Sequence, residues 1–596
     1  MIKKIVKILS IIFLFLVLVI FYLSIYGIKT TKFNNQIKNK ISEANKGINL
    51  DLKTIKITLS PLDLKANIIT LDTRILFNNK KIELESLKAK ISLLQLFKNQ
   101  FEIDNLQISS KSIKAKNLVS FIRSLKNDPK LFLLEMMIKD GYLKGNIDLN
   151  FDKKGNIKGN YKINGFVKNL EIKILKKYNL KNINFIFNIK EKKYKFSEID
   201  TQFNKIKLNS PFIKIEEKNN SFIVNGKILN KEKDISSDEI QGLLSNYFID
   251  LNLKSLNFIS DNDFSFDVNK KLKFSDLNIN SEINLSKLTY KNNFQSIQKY
   301  FPEIKELIDL KDHKIKFNYN KNRTKIIGTG KILLEDNEDK ISYEITKKNN
   351  QYYFKKVFEI KQNILINELQ YKKEKNKKAL IKIEGVLNDN KKFFFNEISL
   401  IENNNSILLK NLNLDNELKI SDIGLLEFNY KNDNKIYNHI YLKKNKNNYT
   451  LEGKSFDASK IINEVMDNED DDNSIFSNLN SKITLNIKKT YIDNINFINN
   501  LSGNINYKNN KINDLKLESV FPNEKKIRLS IKTNKKNQKI TTFFTGYPKP
   551  LIRRYKFIKG FEEGYLDFHS IKKNGISNSL LIIDNFKVKE VPVFAK

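Results

Sequence analysis

Apolar and polar residues alternate along most of this chain with a period of two. Ile55/Ile57/Leu59, Ile147/Leu149/Phe151, Ile183/Phe185/Phe187/Ile189 and Ile206/Leu208 are each interleaved with Lys, Asn, Asp or other polar residues. Ile315/Phe317/Tyr319, Ile341/Tyr343/Ile345, Ile381/Ile383, Ile483/Leu485/Ile487 and Ile527/Leu529/Ile531 follow the same rule. Successive side chains of a strand point to opposite faces, so this alternation predicts half-buried antiparallel strands with one apolar and one polar face. Turns rich in Asn, Asp, Lys and Gly separate the runs, as in Asp152-Lys153-Lys154-Gly155-Asn156. Spacings of three and four residues predict helices at Thr31–Lys46, Ser112–Lys139, Ser236–Phe248, Asn293–Leu310 and Asp457–Met466, flanking or capping the sheet.

One stretch breaks the pattern entirely. The 21 residues from Ile8 to Ile28 carry no charge. As a helix they extend roughly 30 Å, the thickness of a bilayer's hydrocarbon core. Lys3, Lys4 and Lys7 precede the stretch and no small-residue cleavage site follows it, which predicts an uncleaved signal anchor with a cytoplasmic N-terminus. Tyr22 and Tyr26 fall near its outer end, at interfacial height.

Size sharpens the strand reading. At about 12 to 16 residues per strand and turn, roughly 30 to 40 strands follow the anchor, against about 4 to 6 in an ordinary sheet. A single meander of them at about 4.8 Å spacing extends on the order of 150 Å. Such a sheet must hide its apolar face, either by folding into a filled sandwich or by curling into a trough that can dissolve acyl chains. The fold class expected is therefore mostly β: an N-terminal transmembrane helix, then an elongated, curled antiparallel sheet (a β-groove) with a few flanking amphipathic helices. The tentative groove residues are Ile55, Ile57, Leu59, Ile147, Leu149, Phe151, Ile183, Phe185, Phe187, Ile315, Phe317, Ile483 and Leu485.

Composition modifies this picture little. The eight prolines are scattered and no Gly/Ser-rich linker divides the 596 residues, which predicts one continuous body. The absence of cysteine removes disulfides, thiolate metal sites and cysteine nucleophiles. A net charge of +39 invites a nucleic-acid reading, but the lysines are spread over the whole length among Asn and Ile and there is no Trp. That spread marks a solvated face shaped by A/T-rich codons, with no nucleic-acid partner.

Candidate chemistry is sparse. His313, His439 and His569 are far apart in sequence, and the neighbours Asp567, His569 and Ser570 on one strand cannot assemble a proton relay. The acidic run Asp467–Asn473 lacks the ligand spacing and glycine of a calcium loop. Gly328-Thr329-Gly330-Lys331 is only a fragment of a phosphate loop, flanked by strand-like Ile326 and Ile332. These features predict no catalytic, cofactor or metal site, and hence no enzyme.

Two stretches resemble a family. Ile48–Ser109, with a short helix at Leu93–Lys98 leading to the strand Phe101-Glu102-Ile103-Asp104-Asn105-Leu106, resembles the N-terminal module of AsmA-like proteins. Ser455-Phe456-Asp457-Ala458, Leu501-Ser502-Gly503-Asn504-Ile505, Phe544-Thr545-Gly546-Tyr547 and above all Gly560–Lys596 resemble the YhdP-type AsmA-like C-terminal region. The resemblance implies four segments: 1–28, a basic cytoplasmic end and anchor; 29–111, the N-terminal module; 112–454, an extended β-groove body; and 455–596, a C-terminal region that reads as truncated because the family continues beyond it. It also implies a repeating β-groove of the bridge-like lipid-transfer kind, held at the inner membrane of a Gram-negative cell with its body in the periplasm. The expected function is phospholipid movement between inner and outer membranes in support of outer-membrane integrity. The expected partners are the inner membrane, phospholipids and an outer-membrane or periplasmic protein. The alternative is a non-enzymatic envelope assembly factor or scaffold acting through exposed strand edges.

Overall fold

The computed structural model describes residues 2–589 apart from 33, 45–46, 94–102, 153–155, 175–177, 204–205, 220, 232–233, 237–252, 292–297, 389–391, 416–418, 461, 463–479, 509–510, 535, 537, 556–559 and 575. The protein is mostly β, with one long apolar helix at its N-terminus and few others. Five helices matter below: α1 (Ile2–Ile25), α2 (Asn34–Ala44), α3 (Ala115–Leu125), α4 (Pro129–Met137) and α5 (Lys549–Tyr555). Helix α1 is long and apolar enough to cross a membrane, and none of its side chains is fully buried. The chain forms two compact units, the first centred on residues 1–283 and the second on 284–596, with short exchanges near 250–255 and 319–321.

In unit 1 each strand pairs with the next along a meander. Ile28–Thr30 pairs with Ile55–Ser60, followed by Lys65–Leu71, Lys80–Ser92, Ile103–Ser110 and Ile138–Asn150. Lys162–Ile174, Tyr178–Lys190, Lys193–Phe203, Ile206–Lys218, Ser221–Asn230 and Leu253–Asn269 continue it. This sheet is strongly curled. Helix α4 packs near Ile138–Asn150 and leads directly into that strand, yet its Lys130 ammonium donates to the Lys270 carbonyl at 2.8 Å, in the turn after Leu253–Asn269. Those two strands are six ladder steps apart, roughly 29 Å in a flat sheet, more than a nine-residue helix and a lysine can reach.

Unit 2 contains a second meander. It runs from Arg323–Leu333 through Asp339–Lys348, Gln351–Ile360, Ala379–Leu387, Phe393–Glu402, Asn405–Leu414, Leu425–Lys431, Tyr437–Asn445 and Asn448–Asp457. Ser481–Tyr491, Phe497–Lys508, Lys511–Val520, Lys526–Thr533, Lys539–Thr545, Phe561–Lys573 and Ile576–Val588 complete it. One pairing departs from the antiparallel expectation: Asn448–Asp457 and Ser481–Tyr491 run parallel. Residues 458–480 give the chain the crossover length that a parallel neighbour requires. The short hairpin Ile364–Ile366/Tyr371–Lys373 leaves the ladder between Gln351–Ile360 and Ala379–Leu387.

Asparagine turns out to have a structural use beyond its codon origin. Asn78–Asn79 and Asn349–Asn350 both take positive φ between paired strands, the geometry of a two-residue type I′ hairpin. Of the helix expected over Asn293–Leu310, residues 293–297 lie outside the described residues and Gln298 is helical, but its second half is corrected: residues 299–306 are turn and irregular chain, and Leu307–Asn320 is a strand whose Ile308 is buried in the unit 2 core. The apolar spacing there fits either period over so short a run, and the sheet decides it. Ser112–Lys139 resolves into α3 and α4, the latter capped by Asp128, whose carboxylate accepts from the Lys130 N–H. Residues 237–248 of the expected helix Ser236–Phe248, most of Leu93–Lys98 and the acidic run Asp467–Asn473 lie outside the described residues; so do 461 and 463–466 of the expected helix Asp457–Met466, whose described Ser459, Lys460 and Ile462 are helical.

Candidate apolar binding face

Strand register places the alternating residues in rows that cross many strands. In unit 2 one such row reads Ile383, Ile398, Leu409, Leu426, Leu442 and Leu451, each the direct cross-strand partner of the next. It continues through Leu485, Gly503, Leu517, Leu529, Phe543 and Phe568. Two residues along each strand lies a parallel row: Ile381, Leu400, Ile407, Phe428, Ile440, then Gly453 and Ile487. The opposite face is polar over the same strands, with Glu344, Lys355, Glu384, Glu397 and Lys410 in register. There the Lys382 ammonium, 3.0 Å from the Glu397 carboxylate, holds that carboxyl below its ordinary value.

The two apolar rows differ in cover. Ile407, Phe428, Ile440 and Ile487 are buried in one core with Ile364 and Tyr371 of the hairpin. The hairpin is fastened tightly: the Tyr430 hydroxyl donates to the Leu369 carbonyl at 2.7 Å, and that of Tyr371 to Glu402 Oε2 at 2.7 Å. The fully buried Lys373 ammonium donates to the carbonyls of Gln362 and Glu374 at 2.5 and 3.0 Å. The neighbouring row is covered less completely. Ile383, Ile398, Leu409, Leu426, Leu442 and Leu451 all remain half-buried, with Leu409, Leu426 and Leu451 packed against that core and Ile398, Leu409, Leu426 and Leu442 against a second buried cluster of Leu412, Ile420, Ile423 and Tyr449. A second sheet packed over this face would bury them fully, so part of the apolar surface along this lane stays accessible.

A polar spot interrupts the open lane at one end. Lys356 follows Tyr343 and precedes Ile383 in the row, and burial pushes its ammonium below the usual lysine range. Burial likewise pushes Tyr343 up to about 12. His313 Nε2 lies 2.9 Å from the Lys331 carbonyl, which only an N–H can satisfy, so Nδ1 is left to accept from the Tyr343 hydroxyl at 3.2 Å. The two glycines of the phosphate-loop fragment are explained here: a Cβ on Gly328 would fall 2.3 Å from the Tyr343 ring and one on Gly330 2.2 Å from that of His313. Both glycines stand in a regular strand and let the rings lie flat on the sheet.

Unit 1 carries its own apolar rows. Ile108, Ile147, Ile163, Ile189, Tyr194 and Ile215 follow one another in register and are half-buried, continuing from the buried Ile55, Thr70 and Leu87. The reverse face reads Asn146, Asn164, Asn188, Lys195, Lys214 and Asn225, polar at every position and exposed.

The candidate groove residues fall as follows. Ile55 and Ile147 share a row, and Ile57 and Leu149 share the next, through Ile68, Ala89 and Leu106. Leu59 lies in a third with Ala66, Ile91 and Ile103. Ile183 and Phe187 are buried with Ala115 and Val119 of α3, and Phe185 packs against that cluster. Phe151 stands on an isolated bridge to Ile157. In unit 2, Ile315 and Phe317 are half-buried on Leu307–Asn320, Leu485 is buried where it continues the row from Leu451, and Ile483, opposite Tyr449, packs against the buried cluster of Leu412, Ile420, Ile423 and Tyr449. Sequence reasoning missed Lys356, Tyr343 and the covering hairpin, because only register and tertiary packing bring them to this face.

Two other features were weighed. An open cleft of about 1010 Å³ beside α5 is lined by Phe544, Lys549, Glu562 and Tyr565 on the polar side of the sheet. Its Lys549 and Glu562 already pair with each other at 3.2 Å. Among the described residues no group of three His, Asp or Glu side chains is placed to hold a metal ion. Asp567 and His569 are exposed on one face while Ser570 is buried on the other, so they do not converge. The chain matches no known protein family, and no curated protein matches it significantly.

Proposed function

We propose that the protein is a non-enzymatic lipid carrier, anchored by α1 in the inner membrane with its β body in the periplasm. Its substrate is phospholipid moving between inner and outer membranes, with acyl chains laid along the open apolar lanes and headgroups in water. The observation that carries this reading is the row Ile383 to Leu451, apolar at every step across six strands and only half-buried between two buried clusters. Each buried methylene is worth about 0.8 kcal/mol, so an acyl chain needs such a continuous lining to leave a bilayer without a prohibitive barrier. Near-equivalent sites repeated every strand favour sliding over trapping. The likeness of Ile48–Ser109 and Gly560–Lys596 to AsmA-like proteins of the YhdP type supports the same assignment and a role in outer-membrane integrity.

A photo-crosslinking amino acid at Leu426 tests the reading in living cells. Mass spectrometry of the adducts is expected to find phospholipid at Leu426 and none at Lys443, on the opposite face. Equal lipid capture at the two positions, or none at Leu426, defeats it.

A second reading rests on a different observation. Among the described residues Ile576–Val588 pairs on one side only, and its Leu580, Leu581 and Ile582 are exposed. Such an edge suits strand addition by another envelope protein, the mode of an assembly factor.

A further inference from the structure

The sheet of unit 1 begins against the end of α1. Helix α1 is exposed almost throughout, but Ile20, Leu23, Ser24 and Gly27 are half-buried. The i, i+3, i+4 spacing of Ile20, Leu23 and Ser24 puts them on one helical face, and Gly27, at φ +64°, lies just past the end of the helix. What covers this face is the strand Ile55–Ser60. A Cβ on Gly27 would fall 2.3 Å from the Ile57 carbonyl oxygen and 2.8 Å from the Thr58 methyl carbon. Register gives the direction. Ile28–Thr30 leads away from α1 and pairs antiparallel with Ile55–Ser60, Ile28 opposite Ile57. The strand therefore runs back past the end of the helix for three further residues, again roughly 10 Å.

At its tip lies the turn Pro61-Leu62-Asp63-Leu64, with Leu62 98% and Leu64 53% exposed. Two leucines presented to water at a strand tip are unfavourable, whereas the hydrocarbon that suits an apolar helix such as α1 would take them up. Since α1 is apolar to Ile28, the tip stands beside the last two turns of a membrane helix. Its polar groups are partly met from within: the Leu64 N–H donates to the Pro61 carbonyl at 3.3 Å, Ser60 Oγ lies 3.1 Å from Asp63 Oδ2, and Pro61 has no N–H. That suits the boundary between headgroups and acyl chains, where full satisfaction of the backbone is not required. Lys29 and Lys56, cross-strand partners one step farther from the helix, stand at phosphate height.

We infer that the turn Pro61–Leu64 inserts its exposed Leu62 and Leu64 into the outer half of the bilayer alongside α1. The inference rests on α1 spanning a membrane, and it does not depend on lipid transfer.

The absence of Trp from the sequence makes the test direct, because each substitution gives a single reporter. Full-length Leu62→Trp, Leu71→Trp and Phe15→Trp proteins are reconstituted in phosphatidylethanolamine/phosphatidylglycerol vesicles containing lipids brominated high or low on the acyl chain. Leu71 is 60% exposed at the far end of the strand that follows the turn. The expected result is blue-shifted emission from Leu62→Trp, quenched several-fold more by high-brominated lipid than Leu71→Trp, with Phe15→Trp quenched by low-brominated lipid. Quenching of Leu62→Trp by aqueous iodide to the same extent as Leu71→Trp, while Phe15→Trp still senses lipid, overturns the inserted turn and leaves the anchor standing. If Phe15→Trp is also blind to lipid, the anchor fails and the inserted turn with it. The carrier proposal is decided separately, by the crosslinking at Leu426.

Discussion

Phe428 and Leu426 stand two residues apart on the same strand and the same face, yet belong to different environments. Phe428 is 8% exposed under the Ile364–Lys373 hairpin, whereas Leu426 is half-buried in the open lane. Neighbouring strands repeat the contrast, with Ile407 against Leu409 and Ile440 against Leu442. Alternation alone thus produces a surface that serves equally as core or as ligand lining. Which it becomes is decided by an element outside the meander. The hairpin buries one lane fully and leaves the other half-buried.

Truncation separates the lanes most strongly. Phe428→Ala is expected to cost unit 2 about 3–5 kcal/mol, read from its denaturation midpoint. Leu426→Ala, which loses less buried surface and leaves no sealed cavity, is expected to cost about 1–2 kcal/mol. Equal losses would mean that the open lane is covered after all. The functional readout should invert the order. Leu426→Lys, which places a charge in the open lane, is expected to lower phospholipid capture at a crosslinker on Leu442 several-fold with the fold intact by circular dichroism. Unchanged capture would remove this lane from the lipid path.

The polar groups beneath the hairpin provide the next test. Glu335 is 1% exposed, both its carboxylate oxygens lack hydrogen-bond partners, and Lys375 approaches only to 4.0 Å. Burial first, and the Glu303 carboxylate second, raise its carboxyl above the ordinary 4.5. A raised folded value means that the folded state holds this proton more tightly than the unfolded chain does. The stabilising contribution is therefore full below about pH 4.5 and is lost as pH rises through the raised value. Glu335→Gln should raise the melting temperature of unit 2 by a few degrees at pH 7, and the gain should shrink on acidification. A gain that does not change with pH would assign the effect to packing.

How far the sequence predicted this arrangement follows from the same contrast. The period-two runs at Ile147–Phe151, Ile183–Ile189 and Ile483–Ile487 announced strands with an apolar face, and the charge-free stretch from Ile8 announced the long apolar helix α1. Both are local signals. What lay beyond reach depends on pairings between distant residues. The hairpin at Ile364–Lys373, with the run Ile364-Leu365-Ile366 and Tyr371-Lys372-Lys373, carries no period-two signal, and only its exclusion from the ladder makes Tyr371 and Lys373 a cover. The parallel pair at Asn448–Asp457 and Ser481–Tyr491 has strand sequences no different from the rest, because direction is set by the connection. Gly328 and Gly330 read as a phosphate-loop fragment or a bend until their cross-strand rings are seen. Burial of Ile183 and Phe187 beneath α3 was likewise invisible, since the alternation that marks them specifies a face and not its cover.

The smallest expected effect concerns Lys356, the lysine that follows Tyr343 in the open row. Burial lowers its ammonium below the ordinary 10.5, so the charged form is the disfavoured one in the fold. In that window the unfolded chain binds the proton more tightly, so stability should rise as pH climbs from the lowered value to 10.5 and then level off. Lys356→Met keeps the stem and removes the charge, so it should raise the melting temperature of unit 2 slightly at pH 7 and abolish that rise. A lysine kept at such a position despite its cost has a use if the lane holds anionic lipid, whose phosphate can pair with the ammonium away from competing water. Phosphatidylglycerol, relative to phosphatidylethanolamine, should then be captured less by a crosslinker at Ile383 in the Lys356→Met protein. A stability gain without any change in that ratio would make Lys356 a mere imperfection of the lane.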